Sequence, residues 1–421
     1  MEVLQKTLDK VIQESFNTKK IIAQIITKKL KEVGIVLSNE QQHKLENEIN
    51  ITENIDNFSF QVDEKEALEY PSNLKDQLDK SISITIDSEK DLQDIYDKIQ
   101  NIVENIIPKI ASEAAEIIFK TLKKSFKGFH KYHRKNINAF NKSLEKVWGN
   151  PIDLLEMFYY IASEAGDAFN NQFRSIAAKE KDFVFDVLTR LHARSCQISA
   201  EIISLLKNGF ADGAHARWRA LHEIAVTAYF VVKHGNETAE RYICHEAIES
   251  YKAAIKYQEY CEVLGYQKLT EEGLSEIKEK YDYFVKKYGI SFKNSYGWAS
   301  VAIGKDNPSF ADIEDDVGLE YMRPYYKMAS HNVHANPKGV FFKIGLIPES
   351  GDVLLTGPSN LGLADPGHCT ANSLLKITTN LLTFKPNLDR LVICNILISL
   401  EKEIGEAFLH VELELKENKV T

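Results

Sequence analysis

Apolar residues along most of this chain recur at intervals of three and four, the spacing that lines one face of an α-helix. Within residues 1–34, Val3, Leu4, Leu8, Val11 and Ile12 predict one helix, and Ile21, Ile22, Ile25, Ile26 and Leu30 a second. Ser38, with Gln41 three residues on, reads as a helix start. Leu92, Ile95, Ile99, Ile102, Val103 and Ile106 share a face of a helical run over 88–147, which Pro108 is expected to kink. Two long helices are predicted next, at about 180–206 and 213–233. Asn208-Gly209 closes the first, Asp212 caps the second, and His234-Gly235-Asn236 ends it. Further helices are expected at about 238–263, 270–288 and 313–335, and a last pair at about 369–383 and 387–414.

The period shortens to two in a few places. Phe58–Val62 and Ile82–Ile86 alternate and are expected to pair as a small hairpin. Val340–Leu346 and Asp352–Thr356 flank a turn running from Pro348 to Gly351, which reads as a β-hairpin appended to the helices. Gly149-Asn150-Pro151 is the strongest punctuation in the first half. The expected architecture is therefore mainly α. A mostly helical N-terminal region over 1–150 precedes a helical bundle with its small hairpin over 151–421.

Composition narrows the classes of function. At 421 residues the chain exceeds what one core usually holds, and 44% hydrophobic residues is too many for disorder. A net charge of −9 argues against a generic nucleic-acid coat and leaves room for a local basic cleft. Lys120–Lys142 is basic, with His130, Tyr132, His133 and Arg134, and its stretch around His130 to Lys135 reads either as a solvated helix face or as a place to touch nucleic acid. Five scattered cysteines without a C-x-x-C pair suggest reduced thiols and a cytoplasmic setting. No apolar run is long enough to span a membrane. No phosphate-binding glycine loop and no G-x-S-x-G elbow occurs, so no nucleotide cofactor is implied and a hydrolase triad on Ser330 has no support.

Two segments carry candidate chemistry. In the helix over 213–233, Ala214, Trp218, Leu221, Ala225 and Tyr229 share an apolar face, and His215, Arg219, His222 and Glu223 form a polar stripe beside it. Arg219 and Glu223 are four apart and positioned to pair. In the second segment Pro324 suits the first turn of a helix, which places Tyr326, Ser330 and His334 on one face with His331 alongside. Pro337 stops that helix, so both histidines lie near an end where loops open sites. Each cluster also reads as an internally satisfied polar network.

Residues from about 175 to 385 resemble the bacterial family called domain of unknown function 5677. The resemblance rests on the order of two long helices, Arg219-Ala-Leu-His-Glu223, Glu240-Arg-Tyr242, the run Tyr326–His334, the hairpin and Gly357-Pro358. A more distant similarity is to HEPN-type helical ribonucleases, many of them toxins in phage defence. It implies an Arg and a His that stabilise phosphate and leaving group while an RNA 2′-hydroxyl attacks. Arg217 and His222 have a permissible spacing but point about 140° apart on a regular helix, and Arg323 and His331 are too far apart in sequence.

Three readings stand on these residues. The first is a metal-independent ribonuclease-like effector with a composite site of Arg219, His222, Glu223, Tyr326, Ser330, His331 and His334. The second is a binding or sensing module whose first 150 residues recruit a protein partner. The third is a metal-dependent hydrolase using His331, His334 and Glu223. A homodimer is expected, as the commonest oligomer.

Overall fold

The computed structural model describes residues 18–49, 107–334, 336–346 and 353–417, with scattered positions between 60 and 105. The chain divides into two compact units, Met1–His130 and Lys131–Thr421.

In the first unit, α1 (Thr18–Glu32) and α2 (Asn39–Glu48) close a small core of Ala23, Leu30, Ile35, Leu37, Leu45 and Ile49. Ser38 caps α2 as its spacing predicts, its hydroxyl accepting from the Gln41 amide at 3.3 Å. A single antiparallel bridge joins Val36 and Glu69. The helix expected before residue 17 and the segment Ile82–Ile86 lie outside the described residues; Phe60–Val62 is described and forms no strand.

The helix α3 (Ile107–Glu180) continues from the first unit into the second. It begins at Ile107, so Pro108 sits in the first turn, where a missing amide costs nothing. Gly149, Asn150 and Pro151 do not interrupt it. An interior proline costs about 3 kcal/mol. Pro151 is itself buried beside Trp148, Ile152, Leu155 and Phe158, each at most 2% exposed. Each large apolar side chain buried there contributes roughly 1.5–3 kcal/mol, enough together to outweigh the break.

The rest of the second unit follows as α4 (Phe183–Lys207), α5 (Ala211–Cys244), α6 (Glu246–Tyr260) and α7 (Glu271–Tyr288). Short pieces come next: α8 (Ser300–Ile303), α9 (Phe310–Asp316), α10 (Arg323–Val333) and α11 (Pro337–Phe341). The pair α12 (Ala364–Phe384) and α13 (Leu388–Glu417) ends the fold. Gly209, with φ of 74°, stops α4, and Gly235, with φ of 78°, breaks α5 where the sequence ends a helix.

The helix α5 is central, touching α4, α10 and α12. Its predicted apolar face is realised: Ala214, Trp218, Leu221 and Ala225 are fully buried. Trp218 donates its indole N–H to the Cys369 carbonyl and the Ser373 hydroxyl of α12, both at 2.9 Å. His192 on α4 is buried against Gly166 on α3, where an added Cβ would come within 2.2 Å of the imidazole. Of the cysteines, Cys196, Cys261, Cys369 and Cys394 are buried and Cys244 is partly so; all five are free thiols.

Two local expectations are corrected. The hairpin expected at 340–356 is not seen, and no strand occurs among the described residues. Asn336 caps α11 by accepting from the Gly339 amide at 2.9 Å, and Pro337 starts the helix, so Val340 and Phe341 become helical. Beyond it, the Ile344 amide, a donor the ladder would need, goes to Asp212 Oδ1 at 3.2 Å. Asp212 does not cap α5 either, because the helix already begins at Ala211, with Phe210 as N-cap.

Candidate functional site

The helices α5 and α10 meet, and their facing side chains form the site. Arg219 and Glu223 are one turn apart on α5, and the Arg219 Nε lies 3.2 Å from Glu223 Oε1. It is close enough for an ion pair but not aimed for a hydrogen bond. Glu223 Oε1 instead accepts from the Tyr326 hydroxyl at 2.6 Å. The Arg219 guanidinium carbon stands 4.9 Å above the Tyr326 ring, so charge and cation–π contact hold one plane. Burial, and then the bond to Glu223, push the Tyr326 hydroxyl well above the usual tyrosine range, so it stays a donor.

His334 completes this group. It is the C-cap of α10, exposed, with its Nε2 3.5 Å from Arg219 Nη1. A guanidinium only donates, so in this contact the imidazole nitrogen is the acceptor and carries a lone pair. The two residues are brought together by a contact between helices far apart in sequence, not by local spacing.

The remaining predicted residues have other partners. His222 is buried, with Nε2 2.7 Å from Glu314 Oε1, and Glu314 is itself 1% exposed. Arg323 donates to the other oxygen of Glu314, also at 2.7 Å, and to Asp315. Burial lowers the His222 pKa despite the attraction of Glu314, so the ring favours its neutral form and donates a hydrogen bond. Ser330 donates to the Tyr326 carbonyl within α10 at 2.7 Å, a bond internal to the helix.

His331 and His334 have different partners. The His331 Nδ1 faces the Asn336 amide nitrogen at 2.7 Å, and since the Asn336 oxygen already serves Gly339, the nitrogen must donate. His331 Nδ1 is therefore an acceptor, and a neutral ring carries its proton on Nε2. Beside it is a small cavity lined by His215, Met328, His331, Asn332, Lys338, Phe342 and Ile344. His215 is fully buried, and neither ring nitrogen meets a polar protein group. Burial drops its pKa to about 4.

Arg217 pairs with Glu201 on α4, so it takes no part in the group around Arg219. Among the described residues no three His, Cys, Asp or Glu side chains converge as a metal would require. No described helix is long and apolar enough to cross a membrane.

Sequence reasoning passed over Glu314 and Asn336, and placed His215 only in the polar stripe of the α5 segment. Asn336-Pro337 carries a visible signal, a capping residue before an N1 proline. Glu314 sits among Asp312, Asp315 and Asp316, and nothing in that acidic run marks which carboxylate turns inward.

Comparison with curated proteins and with solved structures gives no match. Residues 185–347, which carry Arg219, Glu223, Tyr326 and His334, match the model of a family of unknown function (DUF5677).

Proposed function

We propose that Arg219 and His334 are the working pair of a metal-independent site that cleaves RNA phosphodiester bonds. The observation that carries this reading is the 3.5 Å approach of an exposed imidazole to a guanidinium held in place by Glu223 and Tyr326. Guanidinium N–H groups match the oxygens of a phosphodiester. A neutral imidazole nitrogen beside them accepts a proton.

In the proposed step the RNA 2′-hydroxyl gives its proton to His334 Nε2, and its oxygen attacks phosphorus. The P–O5′ bond breaks, a 2′,3′-cyclic phosphate forms, the departing O5′ takes a proton from water, and the hydroxide so left takes back the proton held by His334. Arg219 stabilises the charge that builds on the phosphoryl oxygens. Glu223 and Tyr326 are positioning residues that fix the guanidinium plane. The reading extends the resemblance to HEPN-type ribonucleases, with Arg and His drawn from two helices.

The test is incubation of RNA with the purified chain in the presence of a chelator. Wild type should yield cyclic-phosphate ends and leave DNA of the same sequence intact. Arg219→Lys and His334→Ala should each lower the rate by about 100-fold or more at unchanged melting temperature. Absence of cleavage, or cleavage indifferent to both changes, removes the proposal. A second reading, a binding module with a structural network, is favoured by the internal partners of Glu223 and Tyr326. It predicts that Arg219→Ala lowers stability and leaves no cleavage to lose.

A further inference from the structure

The first stretch of α3, residues 107–130, belongs to the first unit, and its side chains are exposed except at Ile107 and Ala114. At about 100° per residue its side chains separate cleanly. Lys109, Glu113, Glu116, Lys120, Lys123, Lys124 and Lys127 fall within an arc of about 100°. Ile117, Ile118, Phe119, Leu122 and Phe126 occupy the remainder with alanines and small polar residues, and no charge lies among them. These five are 45–67% exposed. Such a contiguous apolar face marks a surface that something covers.

Charge identifies what covers it. The chain is net acidic at −9, yet this stretch has five lysines against two glutamates. Glu116 is paired with Lys120 at 2.6 Å, while Lys124 and Lys127 have no carboxylate partner among the described residues. The Lys123 ammonium lies 4.4 Å over the Phe119 ring, its stem following the apolar face with the head at the boundary. A nucleic acid would engage the lysines and leave isoleucine and phenylalanine in water. A second helix would cover the apolar face and make no use of the reversed charge. An anionic lipid surface uses both: side chains enter the acyl boundary while lysines meet the headgroup phosphates.

We infer that residues 107–130 lie in the plane of an anionic membrane surface and tether the protein there without spanning it. The inference is independent of the proposed cleavage activity.

The experiment is co-sedimentation of the full chain with vesicles of phosphatidylcholine alone or mixed with phosphatidylserine. Binding is expected only to the mixed vesicles, and to fade as salt rises. Phe119→Ala/Leu122→Ala/Phe126→Ala and Lys120→Gln/Lys124→Gln/Lys127→Gln should each weaken it by about tenfold or more. All six positions are exposed, and far-UV circular dichroism checks that helix content is kept. Failure of the wild type to sediment with anionic vesicles overturns the inference. So does a solution dimer abolished by the alanine variant in place of vesicle binding, or RNA binding lost only in the glutamine variant.

Discussion

His215 and Glu314 show how differently two buried polar side chains behave. Glu314 has two donors, His222 and Arg323, and is almost wholly out of water. Glu314→Ala leaves the buried His222 N–H without its acceptor while Arg323 keeps Asp315, and the expected loss is about 1–3 kcal/mol in chemical denaturation. His215 stacks on Trp218 with ring centroids 5.5 Å apart and has no polar protein partner. His215→Phe retains the stacking and removes two unmatched nitrogens, so stability should rise by about 1–2 kcal/mol. A lower unfolding midpoint for that variant would mean that the ring nitrogens are satisfied after all. The Arg219–Glu223 pair was legible in the sequence, because four residues on a helix is a local relation. The Glu314 pairing was not, because it joins α9 to α5 and to the start of α10 through tertiary packing.

Among the elements, α10 and α11 decide whether His334 reaches Arg219. Their turn is closed by Asn336, which caps α11 and faces His331 Nδ1. Gly339 makes the closure possible: a Cβ there would fall 1.9 Å from the His331 carbonyl oxygen. Gly339→Ala must therefore force α11 and the end of α10 apart. If the cleavage reading holds, the rate should drop on the order of 100-fold, as for misplaced catalytic groups generally. A rate at the wild-type level would show that the turn does not position His334. The helices α4, α5 and α12 could be read from apolar periodicity because each buries one broad stripe. The segment after α11 misled that reading, since alternation alone does not say whether a backbone amide will meet a strand or a side chain such as Asp212.

For the whole molecule, acid stability follows from buried imidazoles. Burial lowers both His192 and His215 from 6.5 to about 4. Both are neutral in the fold, whereas the unfolded chain protonates them as pH drops below 6.5. Their contribution is present in full above 6.5 and is lost progressively as pH falls through the interval down to about 4. At the lower end the loss is roughly 3 kcal/mol for each histidine. Thermal unfolding across that interval should show the decline, and His215→Phe should flatten it by removing one of the two. A melting temperature that stays constant down to pH 4 would contradict the burial of both rings.

The sheltered thiols have a practical consequence. Burial pushes Cys196 up to about 11 and raises Cys244, Cys369 and Cys394 as well. These four hold little reactive thiolate at neutral pH and Cys261 is fully buried, so the native chain should be nearly silent to thiol reagents until it unfolds. A cysteine introduced at exposed Val333, next to His334, would then be the fast-reacting position. If the cleavage reading holds, a fluorophore attached there would report RNA arriving at Arg219, with no native cysteine removed first.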